Sequence, residues 1–267
     1  MSVPAFAVVG HPNKGKSSIV STLASDDSVS IGAEPGTTTR CRRFPMTVDG
    51  NELYALVDTP GFQRARRALD WMRRHETTAD RHVEVVGRFV EAHRGGDIFA
   101  EECELLEPII DGAGILYVVD GSVPFGEEYE PEMEILRWTG QPSMALINPI
   151  GAADYIGPWK AALGQYFKVV RVFDAVMAEF DKRIELLRAF GQLREEWRQS
   201  LERAVQALQH DRERQRRLAA RAIASGLGSM LALQVEEKLN GGDRLETLRS
   251  EIEARLQDGL RSLEQRC

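Results

Sequence analysis

The segment Gly10-His-Pro-Asn-Lys-Gly-Lys-Ser17 constrains this chain more than any other part of it. Two glycines separated by four residues, then Lys16 and Ser17, follow the apolar run Ala5-Phe-Ala-Val-Val9 and precede Ile19-Val-Ser-Thr-Leu-Ala24. A strand, a glycine-rich loop and a helix in that order make an anion cradle. The loop backbone turns its N–H groups inward around phosphate, and the helix N-terminus adds its dipole. The candidate nucleotide contacts here are Gly10, Asn13, Lys14, Gly15, Lys16, Ser17 and Ser18. Lys16 reaches the outer phosphates, and the Ser17 hydroxyl is a ligand for Mg²⁺.

The surrounding pattern sets the fold class. Short runs rich in Val, Ile, Leu and Phe (residues 5–9, 53–58, 114–120, 143–148 and 168–173) alternate with helical segments. This alternation predicts an α/β fold, a mostly parallel sheet with helices on both faces and ligands at the carboxyl ends of the strands. Residues 41–49 pair with the run that follows across Asp49-Gly50-Asn51, a hairpin signal. Helical periodicity fills a long insertion at about 63–112. From about residue 181 the strands stop, and apolar residues recur at helical spacing from Ile184 to Leu208. The expected organisation is therefore a nucleotide domain over 1–181 and an all-α C-terminal extension over 182–267.

A second motif, Leu53-Tyr-Ala-Leu-Val-Asp-Thr-Pro-Gly61, brings an aspartate to the end of a strand. Asp58 there can hold Mg²⁺ through water, and the Gly61 N–H can meet the terminal phosphate. Between the two motifs lies Glu34-Pro-Gly-Thr-Thr-Thr-Arg40, where a threonine can complete the Mg²⁺ shell when a third phosphate is bound.

Together GHPNKGKS, PGTTTR and DTPG resemble the Era-like bacterial GTPases of the P-loop class. The arrangement is most similar to a bacterial group that joins such a domain to a helical C-terminal domain of unknown function. The resemblance covers roughly residues 3–175, and the helical remainder more loosely. It implies that Lys16, Thr39 and Gly61 serve catalysis, and that Ser17, Thr39 and Asp58 hold Mg²⁺. For the threonine, counting back from Arg40 gives Thr39 and counting forward from Pro35-Gly36 gives Thr38; Thr39 is favoured. Asn13 matches an asparagine that binds potassium beside the phosphates in potassium-dependent relatives. Phe62 stands where many GTPases place a water-orienting glutamine, which implies slow intrinsic hydrolysis helped by a cation or a partner.

One motif of that family is degraded. Guanine-specific members carry Asn-Lys-x-Asp after the fifth strand, whereas this chain reads Asn148-Pro-Ile-Gly151. The missing aspartate removes charge-assisted hydrogen bonds to the base, each about 1.5–3 kcal/mol. Asn148 remains a candidate contact, and Asp174 and Asp154 are carboxylates near enough in sequence to compensate. GTP and GDP are the ligands by resemblance, with an ATPase as the alternative left open by the base motif.

Composition narrows the rest. The net charge is −7, divided unevenly: residues 1–181 carry 17 basic against 27 acidic side chains, and residues 182–267 carry 17 against 14. An acidic nucleotide domain argues against RNA binding. Eight arginines between 63 and 94 mark a candidate surface for an unknown protein partner, although a solvated helical face is the plainer reading. Three scattered cysteines and no leader-like N-terminus fit a cytoplasmic, reducing compartment. No apolar run is long enough to span a bilayer, so membrane contact would be peripheral. A nucleotide-dependent scaffold with little turnover is the alternative from outside enzymology.

Overall fold

The computed structural model describes residues 3–24, 38–48, 50–76, 78–175, 180–231 and 245–264. Its six strands are β1 (Ala5–Val9), β2 (Arg42–Val48), β3 (Asn51–Asp58), β4 (Gly114–Asp120), β5 (Ser143–Asn148) and β6 (Val170–Val172). They form one sheet in the order β2-β3-β1-β4-β5-β6, parallel throughout except for β2 against β3. The expected α/β sheet is therefore present. The β2–β3 hairpin closes at Gly50, which takes φ +76°, and its register shifts between Met46 and Thr47. Asp49 lies outside the described residues.

Helices cover both faces, and strand alternation decides which residues meet which cover. On one face Ala7 and Val9 of β1, Ile115, Tyr117 and Val119 of β4, and Ala145 and Ile147 of β5 join a single buried core. The inserted helices α2 (Ala65–His75), α3 (His82–His93) and α4 (Ala100–Ile110) complete that core, with α5 (Glu130–Trp138) and α6 (Ile156–Leu163). On the opposite face Phe6 stacks on Phe190 of α7 (Phe180–Gly191) at 4.1 Å between ring centroids, and meets Trp197 edge-on at 5.0 Å. Gly114 makes room for that indole: a Cβ there would stand 2.6 Å from the Trp197 ring. Here α1 (Lys16–Ala24) adds Ile19, Val20 and Leu23.

The chain divides into two compact units, residues 1–205 and 206–267. The first contains the sheet, α1 to α7 and the start of α8 (Glu195–Leu231), so residues 182–205, which the sequence reading assigned to the extension, pack with the sheet. Ser200 donates to the Leu53 carbonyl at 2.6 Å within it. The second unit is all helical among its described residues, comprising the rest of α8 and α9 (Leu245–Glu264). α8 runs through Gly226 and Gly228 without a break. No described helix is long and apolar enough to cross a membrane.

Candidate nucleotide site

The loop from Gly10 to Ser17 joins β1 to α1 at the carboxyl edge of the sheet, as its spacing requires. Its glycines are there for space as well as conformation. Gly10 adopts φ +144° and Gly15 φ +79°; a Cβ on Gly10 would stand 2.3 Å from the Val118 carbonyl oxygen. A Cβ on Gly15 would stand 2.4 Å from the Asn148 amide nitrogen. Asn13, at φ +61°, is the one non-glycine among the described residues in the left-handed region, which asparagine tolerates better than most. It is exposed, while Ser18 is half-buried at the third residue of α1.

Lys16 is folded back into the cradle. Its ammonium donates to the Gly10 carbonyl at 3.3 Å and the His11 carbonyl at 3.0 Å. Burial lowers its pKa to about 8, against the opposing pull of Asp58 and Glu132. A phosphate oxygen arriving here would replace those weak carbonyl contacts with an anionic partner and favour the charged form.

The acidic side of the site is Asp58. Ser17 donates to its Oδ2 at 2.9 Å and Thr38 to the same oxygen at 3.4 Å. Its Oδ1 is buried with no hydrogen-bond partner. Burial raises the carboxyl pKa, with Ser17, Lys16, Thr38 and Arg42 opposing. A cluster of hard oxygen donors with one buried acceptor left over is the chemistry a divalent cation takes. The threonine beside Asp58 is Thr38; Thr39, favoured from sequence, is exposed one residue on. Within Pro35-Gly-Thr-Thr-Thr-Arg40 a one-residue slip in the count changes which hydroxyl faces inward, and sequence spacing does not fix that slip.

Gly61 lies against the phosphate loop, where a Cβ would stand 2.7 Å from the Pro12 nitrogen. Thr59 anchors this segment by donating to the Val8 carbonyl at 2.8 Å, and the Phe62 N–H reaches the Gly10 carbonyl at 3.4 Å. Phe62 is buried in the core with the inserted helices, so it orders the segment and cannot orient water. Gln63 next to it is exposed at its side chain.

On the base side, Asn148 ends β5, buried, and its Oδ1 accepts from the Ala175 N–H at 3.2 Å. It thereby ties the loop after β6 to the phosphate loop through Gly15. Asp154 accepts from the Ile156 N–H at 3.0 Å, a local turn just ahead of α6, whose N-cap residue is Tyr155. Asp174 is half-buried in the loop after β6. Gly151, in the position of the absent aspartate, is crowded: a Cβ there would meet the Ser122 hydroxyl at 2.9 Å. Ser122 is in turn fixed by Asp120, which accepts from its N–H at 2.9 Å and its hydroxyl at 2.5 Å. Lys14 extends toward Asp120, at 4.0 Å, and so sits nearer the base side than the phosphates.

Two buried glutamates escaped the sequence reading. Glu132 of α5 is 1% exposed; its carboxylate accepts from Tyr117 at 2.9 Å and lies 2.8 Å from His11 Nδ1. Burial raises the Glu132 carboxyl pKa. His11 is thus pinned to α5. Glu102 of α4 accepts from the N–H groups of Gln63 at 2.8 Å and Arg64 at 2.5 Å. The signal for both was present: each glutamate falls on the apolar stripe of its helix, three and four residues before Leu105 and Leu106 or Ile135 and Leu136.

All eight arginines of the insertion are exposed, and several of them bond to other parts of the chain at the surface. Arg73 pairs with Glu134 at 2.8 Å, Arg94 with Glu107 at 2.8 Å, Arg64 donates to the Ile98 carbonyl and Arg88 to the His75 carbonyl.

Residues 5–148, more than half of the chain, match the family described as 50S ribosome-binding GTPase, and residues 160–267 match a domain of unknown function, DUF3482. A GTPase Der from Acidithiobacillus ferrooxidans is 27% identical over 164 residues, covering 57% of this chain and 36% of that protein. The chain therefore spans about a third of the length of that relative. Among solved structures, an Era variant from Aquifex aeolicus bound to GDP and aluminium fluoride aligns over 72% of this chain and 57% of its own at 18% identity, TM-score 0.45. The FeoB G-domain of Methanococcus jannaschii aligns over 72% of this chain and 98% of its own at 16% identity, TM-score 0.44. The chain belongs to the family described as 50S ribosome-binding GTPase, joined to a helical region that matches DUF3482.

Proposed function

We propose that the chain is a Mg²⁺-dependent GTP switch with slow intrinsic hydrolysis, in which bound γ-phosphate orders the segments around Thr38 and Gly61. The observation that carries this reading is Asp58, with one oxygen facing the hydroxyls of Ser17 and Thr38 and the other buried and unpartnered. Ser17, Asp58 and Thr38 would hold Mg²⁺, which would supply neutralisation of phosphate charge. Lys16 and the loop N–H groups bind and orient the phosphates. Gly61 brings its N–H to the γ-phosphate, and Thr59 and Phe62 hold that segment in register. The reaction is attack of water on the γ-phosphorus with departure of GDP. Because Phe62 is buried, no side chain at that position orients the water, and the rate rests on positioning and electrostatics.

Asn13 supports a further element of the reading. Its left-handed conformation displays it at the phosphate loop, where its amide oxygen would coordinate a monovalent cation, and we assign potassium to it. The Asn148 amide nitrogen is assigned to the guanine ring, since its Oδ1 already holds the Ala175 N–H, and Asp174 lies half-buried in the adjoining loop.

Release of phosphate from GTP by the full chain, measured with and without Mg²⁺ and in potassium against sodium, tests these assignments. The expected result is turnover that requires Mg²⁺ and rises in potassium. Equal rates in both salts would remove potassium from the account, and turnover unaffected by chelation of Mg²⁺ would contradict the role given to Asp58.

A further inference from the structure

The two segments that sense γ-phosphate are both held by one inserted helix. The N-terminus of α2 follows the Gly61 segment, and its N-cap residue Arg64 makes no side-chain cap bond. Glu102 of α4 serves instead, accepting from the N–H groups of Gln63 and Arg64. A carboxylate in that place satisfies donors that a helix start leaves unpaired and complements its dipole. Two residues along, Glu104 accepts from the Cys41 N–H at 2.8 Å, and its carbonyl accepts from the Cys41 thiol at 3.0 Å. Cys41 lies three residues after Thr38, whose hydroxyl meets Asp58. Residues 102 and 104 are about 200° apart around a helix, so α4 reaches to its two sides, one to each segment.

Glu102 is fully buried, and its Oε2 has no hydrogen-bond partner. A buried carboxylate with an idle oxygen is a poor device for stability alone. Resting on the GTPase reading above, we propose that α4 is an internal clasp that couples the two γ-phosphate-sensing segments, with Glu102 and Glu104 as positioning residues for hydrolysis. Glu102 fixes the start of α2 so that Gly61 stays against the phosphate loop. Glu104 fixes Cys41, and with it the approach of Thr38 to Asp58. Because both anchors sit on one rigid turn of helix, movement of either segment is transmitted to the other.

The test uses the full chain and the variants Glu102→Ala, Glu102→Gln, Glu104→Gln and the Glu102→Gln/Glu104→Gln double variant. GTP turnover is measured beside amide hydrogen exchange, with GDP and with a non-hydrolysable GTP analogue. Loss of a positioning contact should lower kcat about tenfold in Glu102→Ala while KM for GTP and Kd for GDP stay within about twofold. Glu102→Gln keeps a neutral acceptor and should fall between that variant and the parent. Glu102→Gln should also speed exchange around Thr38–Cys41, which it does not touch, and Glu104→Gln should speed it at Gln63 and Arg64. The double variant should lose less than the product of the single losses. Should Glu102→Ala not fold, the two Gln variants decide the matter by themselves. Exchange changes confined to the amides each glutamate contacts, or effects on kcat that multiply independently, would overturn the clasp. If the parent chain shows no GTP turnover, the hydrolysis reading fails, and the cross-effect on exchange then decides the clasp without it.

Discussion

The two ends of the nucleotide site are built to different standards. At the phosphate end every element is over-determined: two glycines that admit no Cβ, a buried lysine, and an aspartate with two hydroxyls on one oxygen. At the base end Asn148 is kept, with its Oδ1 taken up by the Ala175 N–H, while Gly151 stands where a carboxylate would read guanine. Phosphate recognition depends on backbone geometry that tolerates little change. Base recognition depends on a few side-chain hydrogen bonds, so it can thin out without disturbing the fold. The contrast says that affinity in this chain comes from the phosphates first, and that discrimination between bases is the more easily altered property.

The strongest way to break that comparison is at Lys16. Lys16→Ala should lower kcat/KM for GTP by about a thousandfold, since it removes a charge-assisted contact aimed at the transferring phosphate. A loss of tenfold or less in steady-state turnover would mean that the phosphate end is not dominant. Next is the threonine pair. Thr38→Ala should cost about a hundredfold in Mg²⁺-dependent turnover, and Thr39→Ala only about twofold. Magnesium titrations of the two variants decide between them, and the reverse order would show that the loop changes register when nucleotide binds.

The base end can be sharpened by restoring what is missing. Gly151→Asp in a Ser122→Gly background removes both close contacts, with the Ser122 hydroxyl at 2.9 Å and its Cβ at 3.1 Å, and returns the carboxylate. Preference for GTP over ATP in a competition assay should then rise about tenfold, the yield of one charge-assisted hydrogen bond. No change would mean that guanine is already read through another group. A smaller effect than these gains is in pH. In the unliganded protein Lys16 has its pKa lowered to about 8 by burial, whereas phosphates favour its charged form. Binding therefore takes up a proton above that pH, and affinity falls as pH rises through it. Between pH 7 and 8.5 GTP affinity measured by titration should weaken about fourfold, and Lys16→Arg should flatten the profile.

Much of the phosphate end was legible in the sequence because its chemistry is local. Gly10 to Ser17 are eight consecutive residues, and Asp58 ends a strand whose apolar pattern is plain. The strands were legible for the same reason, as was the long helical insertion. What the sequence left open was long-range or a matter of register. Choosing between Thr38 and Thr39 depends on how a polar loop enters β2, and three consecutive threonines carry no internal mark. His11 meets Glu132 across 121 positions, and Glu102 meets Gln63 across 39. Pairings at such separations are decided by how helices pack on a sheet. Each partner glutamate was nonetheless conspicuous, a charge on an apolar helical stripe, and a buried charge requires a partner nearby. Carboxylates in such positions are the feature to read in any long insertion beside a nucleotide motif.

The central claim, that a well-built phosphate cradle with a thin base pocket still prefers guanine, is tested most directly by competition. Fluorescent GDP bound to the full chain with Mg²⁺ would be displaced by GTP, GDP and ATP in turn. The account predicts that both guanine nucleotides displace it at least about tenfold better than ATP, one charge-assisted contact's worth of discrimination. Equal displacement by ATP would contradict it, leaving the phosphate chemistry in place without a base to define it.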